Sequence, residues 1–228
     1  MYDIIYNNQS GFELGMLAVA RPGIPAPEPR YDYYEIPGRD GILLPEDIPY
    51  NNIEINIDFN FMAPDPERWG EMLRKAKKWI RGSGELKFYD DPDVFYRVDL
   101  ASITSVERTS RRIGNFTAVF SCDPWTYRAE GQRELSVDEV LNNSYDVSHP
   151  LYHIKSSGSW TLTVNGHDFS GSKETYVDTD LQIAYNKNQK IVNSTTIGDF
   201  TEFYLQECEN TISIEGGTLT VKPRWRQL

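Results

Sequence analysis

Two histidines four positions apart, His149 and His153, come first among the side chains in this 228-residue chain whose type and spacing could hold a metal. On a helix that spacing sets two imidazoles on one face, as a zinc site requires. Here Pro150 lies between them, the flanks read as strand, and no glutamate follows the first histidine, while His167 is the sole remaining histidine for a third ligand. Asp90, Asp91 and Asp93 offer carboxylates to calcium, but the central glycine and downstream glutamate of a calcium loop are missing, so they read as a turn between strands. Asp178 and Asp180 place two carboxylates on one strand face, whereas a glycosidase pair comes from separate elements flanking a cleft. The chain has no Gly-x-Ser-x-Gly elbow: Gly82-Ser83-Gly84 follows a helix and no strand precedes it. A glycine-rich phosphate loop is missing too. The expectation is a protein with no catalytic residue, no metal and no cofactor.

Two cysteines, Cys122 and Cys208, stand 86 positions apart, neither with a histidine close in sequence. The N-terminus shows no basic flank and apolar core of an export signal, so two buried thiols in a reducing cytoplasm are expected. Acidic residues outnumber Lys and Arg by 34 to 23, for a net charge of −11, and the surplus holds on both sides of residue 130 (21 against 15, then 13 against 8). Such a balance disfavours specific nucleic-acid binding and docking on anionic membranes. One local exception is the cluster Arg74, Lys75, Lys77, Lys78 and Arg81, on the polar side of a predicted helix. Near a helix C-terminus these cations complement the dipole, and the cluster reads as a solvated or subunit-facing surface. Every hydrophobic stretch is short, so no membrane insertion is expected.

The elements that must carry these residues are mostly strands. Ile53–Phe61 alternates five apolar with four polar residues, the period of a half-buried strand. One helix is predicted over 66–81, with Asp65 as cap, Pro66 at its first position and Gly82 at its end; Trp69, Met72, Leu73, Ala76, Trp79 and Ile80 form its apolar face. Strands follow at Leu86–Tyr89, Val94–Leu100, Ser102–Thr109 and Asn115–Cys122. Seven prolines between Arg21 and Pro49 exclude a helix there and leave an extended hairpin arm, about 21–50. Polar residues 129–150 read as a linker. Beyond it come hairpins, among them Trp160–Val164 leading into Asn165-Gly166, the strongest short hairpin signal, and Thr211–Ile214 turning into Thr218–Val221. The expected fold is mostly β: an N-terminal β-sandwich-like domain over 1–130 with one α-helix and the arm, then a C-terminal β-sandwich over 131–228.

Three stretches together resemble the siphophage distal tail protein family (the Dit proteins of long-tailed, non-contractile phages). They are Ile36-Pro37-Gly38-Arg39-Asp40-Gly41 in the arm; Phe120-Ser121-Cys122-Asp123-Pro124-Trp125-Thr126-Tyr127, preceded by Val106-Glu107-Arg108-Thr109; and a C-terminal series. That series is Val177-Asp178-Thr179-Asp180, then Glu209–Gly216, then Pro223-Arg224-Trp225-Arg226. One departure stands out: Cys208-Glu209-Asn210 occupies the place where family members often carry Gly-x-Asn.

The resemblance implies a structural hub of the tail tip, a hexameric ring whose N-terminal domains surround a central channel for DNA passage and whose galectin-like C-terminal sandwich points outward. It implies as partners the major tail tube protein, a tail-associated lysin or fibre, and receptor-binding proteins. The protein would sit at the virion tail tip after assembly in the host bacterial cytoplasm. Gly38, Arg39, Asp40 and Gly41 are the interface candidates: two glycines bracketing an ion pair suit a tight turn where an arm is aimed. The alternative is a carbohydrate-binding β-sandwich protein, for which Trp160, His167 and Tyr185 are the nominees; a phage-derived hydrolase lacks its motifs.

Overall fold

A computed structural model shows two compact units, Met1–Thr126 (with Leu228) and Tyr127–Gln227; residues 2–30, 37–38, 40, 48–137 and 139–228 are described. Both units are built from antiparallel strands, and the chain is mostly β with one α-helix among the described residues.

The first unit holds β1 (Ile4–Tyr6), β2 (Gln9–Ser10), β3 (Met16–Ala18), β4 (Ile53–Met62), α1 (Trp69–Trp79), β5 (Gly82–Phe88), β6 (Asp91–Glu107) and β7 (Ile113–Arg128). The strands hydrogen-bond in the order β2-β1-β5-β6-β7-β4-β3. An isolated antiparallel bridge then joins Tyr2, just ahead of β1, to Ala18 at the end of β3. The sheet therefore curls until its margins meet, so the layers expected here are opposite walls of one sheet wrapped around its own core.

The alternation read along Ile53–Phe61 is the pattern of β4: Ile53, Ile55, Ile57, Phe59 and Phe61 are buried and the residues between them face outward. Opposite them on β7 lie Cys122, Phe120, Ala118, Phe116 and Gly114. At two of these positions a small residue faces a large one: Ala118 lies across from Ile57, and Gly114 leaves space for the ring of Phe61. The helix expected over 66–81 begins as a 3-10 turn, Pro66–Arg68, capped by the Asp65 carboxylate, which accepts from the Arg68 N–H at 3.1 Å. Its α-helical part ends at Trp79, ahead of Gly82 at φ +75°. Trp79 packs edge-on against Phe59 at 5.4 Å, and Gly11 makes room for it, because a β-carbon there would lie 2.7 Å from the indole. Val94–Leu100 and Ser102–Thr109 are one strand, β6, and the reversal into β7 falls at residues 108–112, where the Ser110 hydroxyl accepts from the N–H groups of Arg112 and Ile113.

The second unit packs two sheets face to face. Its strands are β8 (Leu135–Ser136), β9 (Glu139–Asn143), β10 (Leu151–Lys155), β11 (Ser159–Val164), β12 (His167–Ser172), β13 (Thr175–Asp178), β14 (Ile183–Tyr185), β15 (Cys208–Glu215), β16 (Thr218–Lys222) and β17 (Arg226–Gln227). One sheet runs β14-β13-β10-β16-β8 and the other β12-β11-β15-β9. Tyr152, Ile154, Val177 and Val221 of the first meet Trp160, Leu162, Val164, Phe169 and Ile212 of the second in one core with Phe203 and Leu205. Residues 129–150, expected as a linker, belong to this unit and supply β8, β9 and the buried Asn143 and Ser148. Their alternation is faint because β8 is two residues long and β9 is a mostly exposed edge strand.

The Asn165-Gly166 turn has positive φ at both positions, 50° and 85°, as its residues demand. Cys208 also has positive φ, 68°, at the position where the resemblance drawn from the sequence implies glycine. Two positions on, Asn210 is fully buried and stitches the loop: its Oδ1 accepts from the Gln206 N–H (2.8 Å) and from Asn165 Nδ2 (2.9 Å), and its Nδ2 donates to the Gln206 carbonyl (2.8 Å). The asparagine thus closes a loop whose chain passes through Cys208 in a left-handed backbone. Both cysteines are free thiols, but the expectation of two buried ones fails at Cys208, which is exposed at the start of β15. A non-glycine residue in that conformation costs about 1–2 kcal/mol. Cys208→Gly should accordingly raise stability by about 1 kcal/mol, read from urea unfolding followed by tryptophan fluorescence.

Candidate functional site

Three sets of contacts hold the described residues at the two ends of the expected arm. Its stem is a short antiparallel pairing: the Arg30 N–H donates to the Pro49 carbonyl at 2.6 Å and the Asn51 N–H to the Glu28 carbonyl at 2.9 Å. On the outgoing side Arg21 meets Asp90, Nε to Oδ2 at 2.7 Å, and the other oxygen of that carboxylate accepts the Tyr2 hydroxyl at 2.5 Å. One aspartate thus links the start of the arm, the turn between β5 and β6, and the residue that closes the sheet. On the returning side the Tyr50 ring meets Trp125 edge-on at 6.1 Å, and Asn52 Nδ2 donates to Asp99 at 2.6 Å.

Of the interface candidates, Gly38 and Asp40 are exposed, and Gly38 has φ +83°, a left-handed backbone that glycine adopts without strain. Arg39 and Gly41 lie outside the described residues, as does most of the expected arm, 31–36 and 41–47. The anchors Tyr2, Arg21 and Asp90 were not singled out in the sequence; Asp90 was weighed only as a calcium ligand, and nothing local signals a triad drawn from three distant segments.

The other residues with chemical potential are tied down within the second unit. Arg224 forms a two-pronged bridge to Asp178, both N–O distances 2.8 Å, and also approaches Asp180 at 3.9 Å. His149 Nδ1 sits 3.2 Å from Asp180, its Nε2 lies 3.0 Å from Arg226, and its ring stacks on Tyr204 at 3.9 Å. His153 turns instead to Glu174 (3.2 Å) and stacks on Tyr176 (4.0 Å). The two histidines therefore serve separate partners, and no cluster of three or more potential metal ligands occurs among the described residues. The paired carboxylates of Asp178 and Asp180 face an arginine where a glycosidase would present a sugar. The sugar nominees do not converge: Trp160 is core, 2% exposed and stacked on Phe169, His167 is on the neighbouring β12, and Tyr185 lies on the other sheet against Tyr176.

The family-like stretches now have physical meanings. Asp178 and Arg224, both from the C-terminal series, form one bridge in which Asp178 is buried. Asn210, from the same series, satisfies the loop before β15. Arg108, from Val106-Glu107-Arg108-Thr109, lies over the Trp69 ring at 5.1 Å and donates to the carbonyls of Pro66 and Arg111, tying the β6–β7 turn to the start of the helix.

In the second unit the aspartates and histidines that resembled acids or ligands, Asp178, Asp180, His149 and His153, are paired with arginine, carboxylate or aromatic partners. Residues 16–122 match the family described as phage tail protein RIFT-related domain. Over 100% of this chain and 98% of the other, the fold matches the crystal structure of the SPP1 Dit protein, described as a paradigm of the hub adsorption apparatus of phages infecting Gram-positive bacteria; the TM-score is 0.68 and the sequence identity 12%. No curated protein matches the sequence. The first unit thus carries a phage tail domain, the whole chain has the distal tail protein fold, and the resemblance to the siphophage distal tail family is borne out.

Two anchors make testable statements. Burial, and then the hydrogen bond to Asp90, push the Tyr2 hydroxyl up to about 12. A phenol whose folded pKa is raised adds stability in full below about pH 10, its unfolded value, and loses it as pH climbs towards 12. Wild type should therefore lose more stability than Tyr2→Phe between pH 9 and 12, in urea unfolding curves taken at each pH. In the second unit, Asp178→Ala would leave Arg224 largely buried without its main partner, at a cost of about 3 kcal/mol in the same assay. Arg224→Ala should be comparably damaging, and the double variant less so than the sum of the two.

Proposed function

We propose that this protein is the hub of a siphophage tail tip: six copies of the first unit form a ring around a channel through which DNA passes, joined to the tail tube on one side and to a lysin or fibre on the other. The whole-chain match to a hub protein carries this reading. Receptor-binding proteins are the partners of the second unit, the virion tail tip is its location, and the host bacterial cytoplasm is where it assembles. No step of catalysis is assigned to it. The net charge of −11 suits a channel that lets DNA pass without holding it. In this reading Gly38, Arg39, Asp40 and Gly41 turn the arm against a neighbouring copy.

Negative-stain images of the purified protein, and of tails containing it, should show six-fold rings. Arg39→Ala and Asp40→Ala should fold normally by circular dichroism and give few rings, because an unpaired polar partner at a contact costs on the order of 1–3 kcal/mol. A strict monomer at high concentration and within assembled tails would refute the ring. Full assembly of both variants would leave the turn merely solvated.

A further inference from the structure

The densest positive charge on the first unit lies on α1 and just past its end. Arg74, Lys75, Lys77, Lys78 and Arg81 are all exposed, on the side away from the buried Ala76, Trp79 and Ile80. None of the five makes an ion pair among the described residues, whose pairs in this unit use other cations. They are a third of the fifteen Lys and Arg among residues 1–130 of a chain with net charge −11. A helix C-terminus offers only about half a negative charge, so the dipole does not account for five cations.

The opposite charge is at the other end of β5. The turn after this strand and the start of β6 present Asp90, Asp91 and Asp93, all exposed. Asp90 is occupied by Tyr2 and Arg21, but Asp91 and Asp93 make no ion pair among the described residues. Seven residues of β5, from Gly82 to Phe88, separate the cationic end of the helix from this turn. At about 3.3 Å per residue the strand spans roughly 20 Å. That is more than twice the screening length of about 8 Å at physiological salt. The two patches cannot neutralise each other within one chain. Opposite patches at opposite ends of one unit can meet between copies, head to tail, and such contacts close rings.

We propose that the basic face of α1 in one copy docks on Asp91 and Asp93, at the start of β6, in the next. The occupant is a second copy of this chain, because the acidic surplus in both halves repels a polyanion while each copy carries both members of the pair. The proposal rests on the ring reading and names the surfaces that set its order.

The test uses the full chain as wild type, as the double variant Lys75→Glu/Lys78→Glu, as Asp91→Lys/Asp93→Lys, and as an equimolar mixture of the two variants. Circular dichroism checks the fold, and sedimentation velocity reads association at about 50 mM and about 500 mM salt. Wild-type association should weaken at least tenfold at the higher salt. Each variant alone should associate at least tenfold more weakly than wild type. The mixture should recover, since the variants can alternate around an even-numbered ring. Rings that form from either variant alone as readily as from wild type would overturn the docking while leaving the ring reading intact. A wild type that never associates at low salt would overturn it as well. So would binding of a short DNA duplex that the α1 variant abolishes while its self-association is unchanged.

Discussion

A curved antiparallel sheet leaves backbone donors and acceptors bare along two margins, and those margins invite any passing strand. In the first unit they meet between Tyr2 and Ala18, so a single bridge turns an open sheet into a closed wall around its core. Much else follows from that closure. The aromatic interior of β4 and β7 is sealed, the helix caps it with Trp79, and the chain leaves immediately after β3 into the arm. The aspartate that receives the Tyr2 hydroxyl also receives Arg21, so closure of the sheet and departure of the arm share one carboxylate.

The second unit solves a different problem. Its sheets close over a core of Tyr152, Trp160, Phe169 and Phe203, and burial pushes the Tyr152 phenol far up while its hydroxyl donates to the Phe203 carbonyl at 2.9 Å. The chain end is then fastened by charge: Arg224 to Asp178, and Arg226 to His149 and to the Val147 carbonyl at 2.6 Å. Arg224 takes a left-handed backbone, φ 54°, to reach its partner. Histidines and aspartates that looked like ligands or acids in one dimension are fasteners in three. Their spacing on the chain says nothing about the arginines that come from 46 and 77 residues away.

What could be read in advance follows from how local each signal was. The period of β4, the Asp65-Pro66 start of the helix and the Asn165-Gly166 turn are consequences of neighbouring residues, and all three stand in the fold. The closure at Tyr2, the single long β6 and the membership of 129–150 in the second unit depend on pairing with distant strands, which no window on the chain displays. Cys208 lies between these cases. The resemblance implied a glycine there, and the exposed, left-handed position is one that glycine adopts without strain. The candidate site was legible as a proline-rich arm, but its anchors were not, because Tyr2, Arg21 and Asp90 meet only once the sheet has closed.

The two roots of the arm differ in a mechanical sense. On the returning side the chain runs from Tyr50 into β4, which pairs with β7 at ten consecutive positions, from Ile53 opposite Cys122 to Met62 opposite Ile113. Tension applied there acts along the strand and must shear the whole ladder at once. On the outgoing side β3 pairs with β4 at three positions, and the next hold is the exposed Arg21–Asp90 contact. Tension on that side meets few bonds and peels them in sequence. The arm is thus a lever with one firm root and one yielding root, and a pull on it is borne through β4.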